Sequence, residues 1–232
     1  MTSRQSTFSN NQAPQRYGGA ILGNGDIRIE TSTFSDNSAG FSGGAINLYS
    51  DAVVTHSTFT GNTAHIEGGV FVSGLGVVTI NGSSFSRFLA MVGAGIATPS
   101  TIEQAGTLVV DHNAFSGNRA SFGGGMFVRP TYSVSLTHST LSSNTALTQG
   151  GGIYTAGALP VFDHTTITDN IAVNGPYGTG GGIFVCEEGQ VLQLGPQQII
   201  PCHGTETVSY LTHSTVSGNS PDNIRPDCEP RP

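Results

Sequence analysis

One short pattern repeats along the whole chain, and this repeat limits the folds that the chain can adopt. The segment STFSDNSAGFSGGAI at positions 32–46 returns as STFTGNTAHIEGGVF at positions 57–71. With the Phe of each STF motif taken as position zero, the copies are Phe8, Phe34, Phe59, Phe85, Phe115, Leu141, Ile167 and Val216. Most copies are 25 or 26 residues apart, and a period of this length is typical of solenoids, propellers and other repeat arrays.

Each repeat also carries the signals of short strands and tight turns. Apolar residues alternate before position zero, as in Val78 and Ile80 or Leu108 and Val110, and a period of two indicates strands. Turns rich in Gly, Asn and Ser separate them. About three short strands per repeat match one rung of a parallel β-helix, in which rungs stack about 4.8 Å apart. The sequence therefore predicts an all-β, single-stranded parallel solenoid of about eight rungs of 25–26 residues.

Stacked rungs place equivalent residues of successive repeats in columns. The position-zero column should point inward and form a core ladder that begins with the five Phe residues. Three residues later an Asn recurs, at Asn11, Asn37, Asn62, Asn118, Asn144, Asn170 and Asn219. We expect this column at a bend with left-handed backbone, which Asn tolerates, and with amides bonded from rung to rung. A row of polar ligand-binding side chains is the alternative interpretation.

A histidine column lies three residues before position zero, at His56, His112, His138, His164 and His213. The last four are on consecutive rungs, and imidazoles stacked about 4.8 Å apart could share a metal ion. His112, His138, His164 and His213 are therefore candidate metal ligands. Structural corner histidines are the alternative, because no Cys or carboxylate completes a set at ligand spacing. If the column is buried and neutral, acid should charge it and weaken folding below about pH 6.

Two other features concern the residues that flank position zero and the sequence of the fourth repeat. Ser or Thr flanks position zero in nearly every repeat, as in Thr33 and Ser35, so both flanks should point outward. This polar face is either an ordinary solvated surface or an ice-binding array. The fourth repeat differs, since Phe88 replaces the Asn and extra residues follow around 98–106. Local repacking would explain this repeat, and a ligand or partner patch is the alternative.

The last interval between copies is 49 residues, and the excess falls around residues 186–207. Its QVLQLGPQQII segment looks like a small hairpin, and Cys186 and Cys202 bracket it, which is consistent with a disulfide between them. Cys228 is left over, and three cysteines do not fix a pairing. Residues 1–220 are assigned to the solenoid with this loop insertion, and residues 221–232 to a Pro-rich cap or tail without a Gly-Gly strand.

Charge and hydropathy limit the partners. The net charge is −7 and the chain contains no Lys. Nucleic acids and anionic membranes both require clustered cations, so neither is an expected partner. No stretch of about 18 apolar residues predicts a membrane-spanning helix. No motif for a cofactor is present either, so none is expected.

The FSNN, FSDN, FTGN and FSGN motifs alternate with segments of the GGAI type over nearly the whole chain. In this respect the chain resembles the FxxN and GGAI repeats of the chlamydial polymorphic outer membrane proteins and related β-helix repeats of bacterial surface proteins. The resemblance implies a right-handed parallel β-helix that is exposed at a cell surface and often acts in adhesion.

These features favour a non-enzymatic extracellular or cell-surface module, such as an adhesin, a stalk or a filament component. We expect end-to-end self-association through the exposed first rung, and a carbohydrate or a host-surface molecule is a candidate ligand. A polysaccharide lyase or hydrolase is the first alternative. Asp111 and Asp163 share a column two rungs, or about 9.6 Å, apart, near the upper limit for an inverting pair. A metal- or ice-binding β-helix is the second alternative.

Overall fold

The computed structural model of the protein describes residues 1–72, 74–99, 106–129, 131–156, 160–173, 180–186, 191–195, 198–201, 211–222 and 224–226. Within these residues the chain folds as a parallel β-solenoid, so the predicted fold class is confirmed. Three parallel sheets of 8 strands run along it, and each rung contributes one strand to each sheet. No helix in the described part of the chain has the length and hydropathy to cross a membrane.

The first sheet precedes position zero in each rung, and its strands alternate between buried and exposed side chains. Ile27 and Ile29 are buried, for example, whereas Arg28 between them is exposed. The strands are Thr2–Arg4, Ile27–Glu30, Ala52–Thr55, Val77–Asn81, Gly106–Asp111, Tyr132–Thr137, Val161–Asp163 and Leu211–Thr212. This pattern matches the alternation in the sequence, because successive side chains of a strand point to opposite faces.

The second sheet carries position zero at the centre of each strand. Its strands are Thr7–Ser9, Thr33–Ser35, Thr58–Thr60, Ser84–Ser86, Ala114–Ser116, Thr140–Ser142, Thr166–Thr168 and Thr215–Ser217. Phe59 pairs in register with Phe34 and Phe85, and the five Phe rings stack with centroids 4.6–4.9 Å apart. The predicted single file of position-zero residues is therefore present, and the flanking hydroxyl residues are partly or fully exposed.

The third sheet follows the Gly-Gly segment, and its six inner strands, from Ile46–Leu48 to Ile183–Val185, are buried on both faces. Its strands are Ile21–Gly23, Ile46–Leu48, Val70–Val72, Ile96–Ala97, Met126–Val128, Ile153–Thr155, Ile183–Val185 and Ile224–Pro226. Ile153 belongs to the main core, whereas Phe127, Tyr154 and Phe184 form a second buried cluster on the outer side. Burial on both faces explains why two apolar residues follow Gly-Gly in succession.

Shorter strands complete the rungs. They are Gln12–Ala13, Ser38–Ala39, Thr63–Ala64, Arg119–Phe122, Thr145–Gln149 and Ile171–Ala172. The predicted hairpin in the insertion is confirmed, since Val191–Gly195 pairs antiparallel with Gln198–Pro201. The last rung lacks the Gly-Gly segment, as expected, but residues assigned to the Pro-rich cap or tail still add a strand, because Ile224–Pro226 pairs in parallel with Ile183–Val185. Proline is tolerated in this strand because it lies at the edge of the sheet.

Two corners beside position zero have left-handed backbone in every rung, in addition to the first glycine of the Gly-Gly segments. At the first corner, three residues before position zero, φ is +47° to +60° in Gln5, Thr31, His56, Gly82, His112, His138, His164 and His213. At the second corner, two residues after it, φ is +55° to +66° in Asn10, Asp36, Gly61, Arg87, Gly117, Ser143, Asp169 and Gly218. The Asn column is therefore not at the left-handed bend, as the sequence suggested, but one residue beyond it.

The Asn amides bond from rung to rung, as expected, and form a buried ladder. The backbone N–H and the Nδ2 of Asn118 both donate to Oδ1 of Asn144, at 3.1 and 2.9 Å. Asn144 donates in the same way to Asn170, and its Nδ2 also donates to the Phe115 carbonyl at 3.1 Å. Each amide thus satisfies the buried polar groups of two neighbouring rungs, which would be costly to leave unpaired.

The fourth rung breaks this ladder by repacking. Phe88 is 1% exposed and meets the Phe85 ring edge-on, with centroids 6.3 Å apart. A Cβ atom on Gly69 would lie 2.5 Å from the Phe88 ring, so glycine in the preceding rung provides the space. This burial favours local repacking over an exposed ligand patch. Residues 100–105 of the extra segment lie outside the described residues.

Candidate functional site

The His and Asp side chains that could bind a ligand lie together at the first corner of the last four rungs. There each strand of the first sheet ends, and the histidine column occupies the left-handed position. The imidazoles of His112, His138, His164 and His213 are 60, 45, 52 and 67% exposed. The column is therefore exposed rather than buried, and the acid sensitivity expected from a buried neutral column loses its premise.

The four imidazoles stack face to face along the rod. Ring centroids are 4.6 Å apart between His112 and His138, 5.0 Å between His138 and His164, and 4.7 Å between His164 and His213. Interplanar angles of 13–26° keep the rings nearly parallel. The spacing follows from the rung repeat, since neighbouring strands lie about 4.7–4.9 Å apart.

Two carboxylates lie against this stack, each one residue before a histidine. Asp111 accepts from Nδ1 of His112 at 2.8 Å and from Nδ1 of His138 at 3.2 Å. Asp163 makes the equivalent contacts with His164 at 2.9 Å and with His213 at 3.2 Å. The statement that no carboxylate completes a set with the histidines is therefore wrong. Each carboxylate contacts the histidine of its own rung and the histidine of the next rung.

Hydrogen bonds also hold the Asp111 carboxylate from its other side. The Thr137 hydroxyl donates to Oδ1 at 2.7 Å, and Asn81 Nδ2 donates to Oδ2 at 2.8 Å. Burial acts to raise the pKa of Asp111, but the hydrogen bonds from Thr137, His112 and His138 outweigh it and lower this pKa to about 2. The pKa of Asp163 is also lowered, mainly by the hydrogen bond from His213. Both side chains are therefore carboxylates at neutral pH.

The four stacked histidines and the two carboxylates thus form two Asp–His–His sets. The first set is Asp111, His112 and His138, and the second set is Asp163, His164 and His213. In each set, one potential ligand atom per residue lies within 4.8 Å of the others. His56 has the same left-handed backbone, but its column neighbours are Thr31 and Gly82, so it belongs to neither set.

Sequence reasoning missed a hydroxyl ladder next to this site. Two residues before position zero, the backbone N–H of Ser32 donates to Oγ of Ser57 at 3.1 Å, and Ser57 donates to Ser83 at 3.0 Å. These residues are buried. The signal in the sequence is the Ser or Thr that follows the first-corner residue, as in the HST motifs.

Two buried residues lie near the third sheet. Cys186 is disulfide-bonded, but Cys202 and Cys228 lie outside the described residues, so the pairing with Cys202 stays a prediction. Arg129 is 2% exposed, its guanidinium is 5.2 Å from the centre of the Phe127 ring, and its side-chain nitrogens have no hydrogen-bond partner among the residues that the structure describes. Burial lowers the pKa of Arg129 to about 10.

The fold and this corner define a protein of the parallel β-solenoid class with a line of His and Asp along one edge. Residues 1–158 match the family model described as the right handed beta helix region, and the chain belongs to this family. The family agrees with the right-handed coil that the repeat motifs implied. Comparisons with curated proteins and with solved structures gave no significant match. The narrower resemblance to polymorphic outer membrane protein repeats stays a prediction.

Proposed function

We propose that this chain is a non-enzymatic structural module of a rod at a cell surface or outside the cell. The observation that carries the proposal is the in-register stacking of three sheets of 8 strands along one axis. Eight rungs give a body roughly 38 Å long. Its ladders of Phe, Asn and Ser connect each rung to the next, which favours a stiff element that supports or presents other surfaces.

The state of the two carboxylates argues against glycoside hydrolysis. An inverting glycosidase needs one carboxyl group with a raised pKa, which donates a proton, and a second that acts as base. The pKa values of Asp111 and Asp163 are both lowered, so neither keeps a proton at neutral pH. Both are also engaged by imidazoles, which favours the non-enzymatic function over the carbohydrate-active alternative.

The disulfide at Cys186 supports the proposed location. Disulfides persist in oxidising environments, such as secreted and cell-surface proteins, and are rare in the cytosol of most organisms. A direct test is surface labelling of cells that express the native gene, combined with non-reducing mass analysis. Labelling confined to lysed cells would contradict a surface location.

The first rung offers a surface for self-association. Phe8 stacks on Phe34 with one face of its ring, and the Asn11 amide donates to Asn37. Among the described residues, no amide donates to the side-chain oxygen of Asn11, which can therefore accept a hydrogen bond from another rung. The proposed partner is the last rung of a second copy. Such head-to-tail contacts do not close on themselves and would extend the rod into a filament.

Electron microscopy and sedimentation velocity of the purified chain over a range of concentrations test this proposal. We expect rods whose length grows with concentration and a Phe8→Asp variant that remains monomeric. Phe41→Ser is the matched control, because Phe41 is an exposed aromatic residue that stacks on Tyr17 rather than on the position-zero column. Monomers at every concentration would refute self-association, and release of reducing or unsaturated sugars from pectin-like polymers would refute a non-enzymatic function.

A further inference from the structure

We propose that the two Asp–His–His sets bind divalent transition-metal ions of the Zn²⁺ type, one ion per set. Each set offers two imidazole nitrogens and a carboxylate oxygen within 4.8 Å of one another. The ligands come from adjacent rungs, so an ion would also cross-link two rungs of the solenoid. This property is independent of the proposed structural role.

The distances within each set are close to those of a coordination sphere. Ligands at about 2.0–2.1 Å from Zn²⁺ lie roughly 3.3 Å apart in a tetrahedron. In the first set the two Nδ1 atoms lie 2.8 Å from Oδ2 and 3.2 Å from Oδ1 of Asp111, so the carboxylate faces the imidazoles with both oxygens. In the second set they lie 2.9 and 3.2 Å from the same oxygen, Oδ1 of Asp163. An ion would replace the hydrogen between Nδ1 and the carboxylate, and a neutral imidazole would then carry its proton on Nε2.

The two imidazoles of a set must turn toward each other to share one ion, because their stacked rings are 4.6–4.7 Å apart. This movement is open to them, since all four rings are 45–67% exposed and project from the corner away from the core ladders. Water can fill the remaining coordination positions on the solvent side.

The backbone does not require histidine at this corner. Gln5, Thr31 and Gly82 adopt the same left-handed conformation in other rungs. The preceding position carries a carboxylate in three rungs, as Glu30, Asp111 and Asp163. Glu30 pairs with arginines of its own and the preceding rung, whereas each Asp contacts two consecutive histidines. Backbone geometry alone therefore does not explain why Asp111 and Asp163 each lie beside two consecutive histidines. Metal ligation explains both the histidines and the carboxylates.

The ligand type selects the kind of ion. Imidazole nitrogen suits Zn²⁺, Cu²⁺, Ni²⁺ and Fe²⁺, whereas Ca²⁺ and Mg²⁺ prefer shells made of oxygen. The first set has an additional advantage, because Thr137 and Asn81 orient its carboxylate. Groups in this outer position typically change metal affinity by about 10–100-fold. We therefore expect the first set to bind more tightly than the second.

Titration calorimetry with Zn²⁺ on the full chain, without an affinity tag and after removal of metals, tests the proposal. The expected result is two ions per chain and no heat with Ca²⁺. Asp111→Asn and Asp163→Asn should each remove one ion, and the double variant should remove both. Thr137→Val should weaken the tighter site by about tenfold and leave the other unchanged.

Matched histidine variants keep the test valid if an Asp variant disturbs folding. Asn tolerates left-handed backbone, so His138→Asn and His213→Asn should remove one ion each without changing the circular dichroism spectrum of the metal-free protein. His56→Asn is the control, because His56 lies in the same column outside both sets. Absence of Zn²⁺ binding, a single ion lost in His56→Asn, or binding that survives in the double Asp variant would overturn the proposal.

Discussion

The Asn ladder allows a sharp test of what holds the rungs together. Replacing Asn144 by Ala removes four hydrogen bonds, two accepted from Asn118 and one donated to each of Phe115 and Asn170. Asn144 is fully buried, so water cannot replace them without opening the rung. The buried backbone N–H of Asn118 and the Phe115 carbonyl each lose a partner, at about 1–3 kcal/mol per group, which predicts a loss of about 2–6 kcal/mol in unfolding free energy.

Asn11→Ala is the matched control at the exposed end of the same ladder. It removes one hydrogen bond, from Nδ2 to Asn37 at 2.8 Å, and keeps the bond from the Asn11 backbone N–H. The expected loss is about 0.5–1.5 kcal/mol. Urea unfolding followed by circular dichroism measures both, with the slope checked because solenoids can unfold in stages. A loss for Asn144→Ala no larger than for Asn11→Ala would refute the role of the ladder.

Three further predictions concern the core, a buried charge and pH. Phe59→Ala should cost about 3–5 kcal/mol in urea unfolding, because Phe59 is fully buried between two stacked rings, and a cost below 1 kcal/mol would contradict this. Arg129→Met should lower the unfolding free energy, because it leaves the buried carboxylate of Glu67 without its favourable charge interaction with the guanidinium, and an unchanged urea midpoint would contradict this. The pKa of Asp111 is lowered from 3.8 to about 2 in the folded state, so its contribution is complete above pH 3.8 and is lost as the pH falls toward 2. In metal-free buffer, Asp111→Asn should remove that part of the acid unfolding curve, and an unchanged curve would contradict the assignment.

The fold was predictable because its signals recur in every rung. Position zero is apolar eight times, mostly at intervals of 25 or 26 residues, and a buried ladder is the simplest arrangement that satisfies such a column. The antiparallel hairpin was also recognisable from local alternation. The last strand of the third sheet, Ile224–Pro226, was missed because prolines and charges replace the usual Gly-Gly and apolar residues, whereas register with the preceding rung decides the pairing.

The left-handed corners were less accessible to sequence reasoning. The residue before each Asn, or before Phe88 in the fourth rung, is the one with positive φ, and it varies among Asn, Asp, Gly, Ser and Arg. The recurring Asn therefore predicts the left-handed residue one position too late. The Asn recurs because of its hydrogen bonds and not because of its backbone conformation.

The Asp–His–His sets illustrate a different limit. Asp111 and His138 are 27 residues apart, and Asp163 and His213 are 50 apart. Carboxylates and histidines occupy adjacent columns, and neither column by itself predicts a shared site. Only the side chain that reaches diagonally to the next rung joins them, and that direction is a property of the three-dimensional stack.

The first corner has a broader consequence for how such a chain can be rewritten. Its left-handed turn is met by residues as different as Gln5, Thr31, Gly82 and His112, so the side chain there is set by neither the turn nor the core. The solenoid repeats this position about every 4.8 Å along its axis. Charged, chelating or reactive side chains could therefore occupy this position in successive rungs in any order, and the packed interior would keep them aligned.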